Sequence, residues 1–128
     1  MGGKRDPVER LRAICLALPG VSERLSHGGP TWFAGKRSFV SLADHHHGSS
    51  HLAAWCAAPP GAQEMLIDAA PGRFFRPPYV GHRGWIGLYL DTPDADWDEV
   101  ALVVREAFRA VAPPKLVRLA EERQPETG

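Results

Sequence analysis

Residues 73–90, RFFRPPYVGHRGWIGLYL, decide the fold of this chain. The adjacent prolines Pro77-Pro78 fix two φ angles and remove two backbone hydrogen-bond donors. Gly81 and Gly84 bracket a basic dipeptide and allow the backbone to turn tightly. Residues 85–91 then alternate aliphatic side chains with aromatic side chains or glycine, which is the period of a strand. The stretch therefore predicts a rigid Pro/Gly loop that leads into a β-strand.

Hydrophobic spacing predicts the elements on either side of this stretch. A first helix begins at Asp6-Pro7, where a capping carboxylate precedes a ring with a preset φ angle, and it ends at Pro19-Gly20. A wide apolar stripe over residues 97–111 predicts a long helix with Asp94 or Asp96 as its cap. The other predicted elements are strands over residues 21–26, 30–34, 38–44 and 51–58, a short helix over 61–70, and a terminal helix over 115–123 after Pro113-Pro114.

The order of these elements predicts an α+β fold, a single-layer antiparallel sheet with helices packed on one face. Gly35-Lys36-Arg37 lies between two predicted strands and is typical of a hairpin tip. We expect one sheet face to be aliphatic and the other to expose aromatic rings in part. The residues expected on that second face are His51, Trp55, Trp85 and Tyr89. Residues 1–128 are predicted to form one domain that is frayed at 1–5 and 124–128.

The net charge argues against strong nonspecific binding to nucleic acid. The chain has 15 basic and 15 acidic residues and an isoelectric point near 7.0, whereas such binders are usually basic. The charges are unevenly spread, however. Residues 1–40 and 71–90 have an excess of bases, whereas 41–70 and 91–128 have an excess of acids. A basic face would exist if the two basic segments met in space.

Cysteine usage and the N-terminus predict a cytoplasmic protein. Cys15 and Cys56 each lie in an apolar stretch, where a buried reduced thiol is expected rather than a disulfide. The N-terminal residues have no apolar segment of the kind that a signal peptide needs. No apolar run approaches the length of a membrane span, so we expect no membrane partner. The oligomeric state is left open.

Four stretches carry a resemblance to a known family. They are LRAICLALPGVSER (11–24), HGGPTWFAGKRSFVSL (27–42), RFFRPPYVGHRGWIGLYLD (73–91) and DWDEVALVVREAFRAVAPPKL (96–116). In order and spacing they resemble the MmcQ/YjbR family of small bacterial proteins over nearly the whole chain. The resemblance implies a frataxin-like layer of helices over an antiparallel sheet, described as a double wing and commonly labelled DNA-binding on the strength of the fold. The shared positions in the third stretch are Arg73, Phe74, Phe75, Pro77, Pro78, Tyr79, Gly81, Gly84 and Trp85.

Basic side chains in two predicted loops are the candidates for contacts to DNA. Arginine and lysine at hairpin tips can contact phosphates, and these contacts position a protein without reading sequence. We therefore expect weak, noncatalytic, phosphate-directed binding. The candidate residues are Lys36, Arg37, Arg73, Arg76, His82 and Arg83.

A second hypothesis is that the aromatic sheet face binds a small aromatic or anionic ligand, in a sensing or sequestering role. Trp55, Trp85 and Tyr89 would form its apolar surface, and Arg83 would anchor a polar group. The plainer interpretation of the same residues is that the bases are a solvated surface and the tryptophans complete the core.

No motif predicts catalysis, a metal or a cofactor. His45, His46, His47 and His51 are adjacent or nearly so, and three consecutive ligands rarely converge on one ion, so we interpret them as a polar loop. Neither cysteine nor any serine lies in a recognisable nucleophile motif. The GHRG turn is too short for a phosphate-binding loop. We expect a protein without enzymatic activity.

Overall fold

The computed structural model, which describes residues 6–45 and 51–123, contains every helix and strand that the sequence predicts. The helices are α1 (Pro7–Leu16), α2 (Ala62–Ala69), α3 (Trp97–Val111) and α4 (Pro114–Arg123). The strands are β1 (Val21–Ser26), β2 (Gly29–Ala34), β3 (Arg37–Asp44), β4 (Leu52–Cys56), β5 (Phe74–Phe75) and β6 (Ile86–Tyr89). Two elements were missed, the two-residue strand β5 and a 3-10 helix over Gly81–Arg83. The predicted fraying at 1–5 and 124–128 lies outside the described residues.

The strands form one six-stranded sheet in the order β1-β2-β3-β4-β6-β5, and every neighbouring pair is antiparallel. This confirms the predicted α+β fold. Strand β6 pairs with β4 although α2 and β5 separate them in sequence, and β5 turns back to form the edge beyond β6. The Pro/Gly loop, residues 76–85, makes that reversal.

The core lies between the sheet and helices α1 and α3. On α3 the predicted stripe is buried, and Phe108 meets Phe39 of β3 edge to face, with ring centroids 5.8 Å apart. A bulge in the pairing of β2 with β3 allows Phe39 and Val40 to be buried together, although strand neighbours normally point to opposite faces. Cys15 and Cys56 are free thiols in this core, and burial raises the pKa of Cys56 to about 12.

The helix caps are those that the sequence indicates. The carboxylate of Asp6 accepts a hydrogen bond from the Val8 amide at 2.8 Å. Of the two candidates for α3, Asp96 is the cap. Its side chain accepts from the amides of Asp98 and Glu99 at 3.0 and 3.3 Å. These bonds satisfy amides that a helix start otherwise leaves without partners.

One expectation for the aromatic sheet face is wrong. Trp85 is only 5% exposed, whereas partial exposure was predicted. The Arg83 guanidinium lies over its ring, 5.4 Å from the centroid. The side-chain amide of Gln63 on α2 also donates a hydrogen bond to the backbone carbonyl oxygen of Trp85 at 2.6 Å. Trp85 is therefore part of the core, while His51, Trp55 and Tyr89 are half-buried as predicted.

A three-residue polar link joins α1 to the sheet. The guanidinium of Arg12 donates three hydrogen bonds to the carboxylate of Glu23 on β1, at 2.9 to 3.1 Å. Trp32 on β2 donates its indole N–H to the same carboxylate at 3.0 Å. The Arg12 hydrogen bonds, and then that of Trp32, hold the pKa of Glu23 below its ordinary value despite partial burial.

Replacing Glu23 with glutamine should change how stability depends on pH. Because the Glu23 pKa is depressed in the folded protein, its contribution is present above the ordinary glutamate value of 4.5 and is lost as pH falls through the folded-state pKa. We expect Glu23→Gln to be less stable at pH 7 and to have a flatter profile below pH 4.5. Urea unfolding across pH 3–7 measures this. Glu64→Gln, at an exposed position on α2, should retain the original profile. An equal loss of unfolding free energy at pH 7 in both variants, with the same pH profile, would contradict the prediction.

Candidate nucleic-acid interface

The sheet register brings two basic turns to the same end of the molecule. Val40, Cys56 and Ile86 form one row across β3, β4 and β6. Two strand spacings separate the outer residues of this row by about 10 Å. Strands β3 and β6 are both antiparallel to β4 and so run in the same direction. Arg37 and Arg83 each precede the row by three residues and therefore lie at the same end of the sheet, here called the basic end.

The hairpin tip between β2 and β3 rests against the helix layer. The amide of Gly35 donates to the carbonyl of Gly20 at 3.3 Å, and a Cβ at Gly35 would lie 3.5 Å from Pro113. A shallow depression of about 680 Å³ separates residues 34–37 from the link between α3 and α4. Lys36 and Arg37 are exposed. Neither side chain has a hydrogen bond or ion pair within residues 6–45 and 51–123. Their charges are available to an external anion.

The Pro/Gly loop forms the second part of the basic end. Pro77 is buried, and the Arg76 guanidinium donates to the Gln63 side-chain oxygen at 3.3 Å. His82 and Arg83 are exposed on the 3-10 helix. Tyr79 is 69% exposed and has a φ angle of 66°, a conformation that is costly for a residue with a side chain. The loop therefore presents cations and one aromatic ring from a constrained backbone.

Arg73 lies away from the basic end, although the sequence groups it with Arg76 and Arg83. Its backbone carbonyl accepts from the Tyr89 amide at 3.1 Å, near the end of β6. There its guanidinium forms a bidentate ion pair with Glu99 of α3, in which Nε and Nη2 donate to the two carboxylate oxygens at 2.9 and 3.0 Å. Hydrogen bonding to Glu99 raises the pKa of Arg73. Arg73 is thus engaged with a carboxylate at the opposite end.

Acidic residues lie at that opposite end, here called the acidic end. Asp91 follows β6, and Asp94, Asp96, Asp98 and Glu99 lie before and within the first turn of α3. The 15 residues of α3 span about 22 Å and reach the hairpin tip at their C-terminal end. The neutral total therefore conceals a charge separation along the strands. Lys115, which was not a predicted site residue, is the second residue of α4 and follows Pro114, which lines the depression at the basic end.

The helix-free sheet face carries the aromatic residues of the second hypothesis. Tyr89 stacks on Phe75 at 4.7 Å and contacts the His51 ring at 4.5 Å, measured between centroids. Trp55 lies opposite Gly87, and Phe75 pairs with Gly87 from the other side. Arg83 and Trp85 contact each other in the Pro/Gly loop, where the ring is already covered. The structure brings Trp55 and Tyr89 to one face, with Trp85 buried.

His45 and His51, from the histidine-rich stretch 45–51, lie at the acidic end. His51 contacts Asp91 at 3.1 Å, and His45 contacts Asp44. His46 and His47 lie outside the described residues. Within the part of the chain that the structure describes, no three metal-ligating side chains form a cluster that could hold an ion. No helix in that part is long and apolar enough to cross a membrane.

A family model named YjbR matches residues 16–110 of the chain. The chain belongs to the YjbR family. The match covers β1–β6, both basic turns and nearly all of α3, so the elements that position the basic end are those of the family. No curated protein matches the sequence.

A solved structure has the same fold. The chain superposes on the crystal structure of Deinococcus radiodurans protein DR2400, which carries the family domain DUF419, with a TM-score of 0.70. The two sequences are 17% identical over 98% of each chain. At this identity the likeness establishes the shared α+β architecture.

Gly87 should be intolerant of a side chain in this YjbR protein. A Cβ at Gly87 would overlap the Phe75 ring, and the neighbouring strands prevent the backbone from moving away. We expect Gly87→Ala to cost about 1–3 kcal/mol of unfolding free energy, as overpacking does. Denaturant unfolding measures the loss.

Gly72→Ala is the matched control, because a Cβ at Gly72 meets no atom within 4 Å. In a Phe75→Ala background the Gly87→Ala cost should fall, since the overlapping ring is gone. An undiminished cost in that background would show that the Phe75 contact is not its source.

Proposed function

We propose that this YjbR protein binds DNA without catalysing a reaction on it, through phosphate contacts made by the basic end. The observation that carries the proposal is the convergence of two acid-free turns, residues 35–37 and 76–84, at one end of the sheet. Lys36, Arg37 and Arg83 are exposed there, whereas Asp91, Asp94, Asp96, Asp98 and Glu99 lie at the other end.

The geometry suits a phosphate backbone. The two turns belong to strands that lie two strand spacings, about 10 Å, apart, so their basic side chains can reach phosphates that are not adjacent on one strand. Each neutralised phosphate releases condensed counterions, so a few such contacts give binding that weakens steeply with salt. His82 adds a further hydrogen-bond donor, an exposed imidazole N–H on the 3-10 helix.

The charge separation also supports weak rather than tight binding. The acidic end repels the phosphate backbone, so the protein is attracted in one orientation only. Phosphate contacts alone carry no sequence information, and we therefore propose little preference among duplex sequences.

Reversing the hairpin-tip charges tests the proposal. In fluorescence anisotropy at about 50 and 200 mM salt, the range over which phosphate-driven affinity changes most, wild type should bind a random duplex more weakly at the higher salt. Lys36→Glu with Arg37→Glu should weaken binding and reduce the slope of log affinity against log salt by about 2, one unit for each lost phosphate contact.

Two controls isolate position from net charge. Arg118→Glu with Arg123→Glu makes the same change in net charge on α4 and should retain most of the affinity. Lys36→Arg with Arg37→Lys keeps the charges in place and should bind as wild type does. Equal weakening by both charge reversals, or no duplex binding by wild type at low salt, would overturn the proposal.

The helix-free sheet face favours a second candidate, binding of a small aromatic ligand. The observation is the row of ring contacts in which Phe75 stacks on Tyr89 and His51 meets Tyr89 at a tilt, next to half-buried Trp55. A planar ligand could extend this stack without any repacking of the core.

Trp55→Ala is the sharper variant for this candidate, because Trp85 is buried and its loss would cost about 3–5 kcal/mol of stability. In a thermal-shift screen of aromatic compounds, a hit should stabilise wild type and fail to stabilise Trp55→Ala. A hit that stabilises both proteins equally would place the ligand elsewhere.

A further inference from the structure

A groove on the helix layer lies outside both candidate sites. It runs between α1, α3 and α4 and has a volume of about 520 Å³. Its floor is aliphatic. It includes Ile14 from the C-terminal half of α1, Leu18 just after that helix, and Ala101 from α3. Ala120 of α4 forms part of the opposite wall. Helix α4 packs on the core through the partly buried residues Leu116, Val117 and Ala120 and has no fully buried residue, which leaves the groove open to solvent.

Two arginines give this apolar groove a positive charge. Arg105 of α3 and Arg123 of α4 line it, and no acidic residue does. Neither guanidinium has a hydrogen bond or ion pair within the described chain. Arg109, one turn further along α3, instead pairs with Glu121 of α4 at 3.6 Å. Arg109 is therefore neutralised, whereas the two arginines of the groove have no acidic partner among residues 6–45 and 51–123.

We propose that this groove is a binding site for a small organic anion with an apolar body, such as a medium-chain carboxylate. The volume is in the range of about 300–1,000 Å³ that small-molecule sites occupy, and an aliphatic floor with a few convergent polar groups is their usual composition. A guanidinium binds a carboxylate through two parallel hydrogen bonds, and the aliphatic floor covers the hydrocarbon chain. The unpaired charges make an anion, rather than a neutral lipid, the matching ligand.

Decanoate, decanol and decylamine serve as probes of equal chain length and different charge. Isothermal titration of the full chain should show decanoate binding at least about tenfold more tightly than decanol, the worth of one hydrogen-bonded charge pair, and no binding of decylamine. Displacement of the anionic dye 8-anilinonaphthalene-1-sulfonate by decanoate gives an independent readout.

Two variants separate the anion site from the apolar floor. Arg105→Gln with Arg123→Gln should lower decanoate affinity to that of decanol while decanol binding is unchanged. Ala13→Trp, at an exposed position on the groove wall, should block both ligands without disturbing the core. Arg118→Gln, on the same helix and outside the groove lining, is the matched control and should bind decanoate as wild type does. Far-UV circular dichroism verifies that each variant is folded.

Three results would overturn the proposal. The first is equal affinity for decanoate and decanol in wild type. The second is decanoate binding that survives Ala13→Trp. The third is binding seen only after removal of residues 124–128, because that segment would then be the occupant. The DNA affinity of the Arg105→Gln, Arg123→Gln variant should be unchanged, so this test and that of the basic end are independent.

Discussion

The side-chain amide of Gln63 holds the Pro/Gly loop in place. It is only 5% exposed, and its nitrogen donates to the carbonyl oxygens of Gly81 and Trp85 at 2.9 and 2.6 Å. Its oxygen accepts from Arg76 at 3.3 Å. A buried amide without partners would cost about 1–3 kcal/mol, so this conformation of the loop is strongly preferred. The amide therefore fixes where β6 begins and orients the Arg76 guanidinium.

Antiparallel register then decides the electrostatics. Because Arg73 precedes and Arg76 follows the extended strand β5, the two arginines lie toward opposite ends of the β5–β6 pair although only two residues separate them. Arg73 is neutralised by Glu99, whereas Arg76 faces the 3-10 helix that carries His82 and Arg83. The strand register, together with the Gln63 hydrogen bonds, therefore divides one basic sequence stretch into Arg73, which pairs with an acid, and the loop bases, which have no acidic partner in the described residues.

The sequence predicts the helices, five of the six strands and the sheet class, because each of those elements is long enough to show a hydrophobic period. Strand β5 is missed because two residues contain no period. The burial of Trp85 is missed because alternation assigns its face but says nothing about a loop that folds back over it. Gln63, a polar residue in a short helix between prolines, has no local feature that indicates its role. The pairing of Arg73 with Glu99 depends on residues 26 positions apart.

The two proposed anion sites differ, for a physical reason, in the kind of anion that suits them. At the basic end the cations extend into solvent from turns, so their attraction is long-range, screened by salt and nearly indifferent to the shape of the partner. In the helix groove the guanidinia lie beside an aliphatic floor, where displaced water strengthens a short-range ion pair and an apolar body adds the larger share of the free energy. A polyanion without apolar surface would gain little binding free energy in the groove. A fatty carboxylate would gain little binding free energy at the two basic turns. One neutral chain can therefore present two anion-selective surfaces that do not compete.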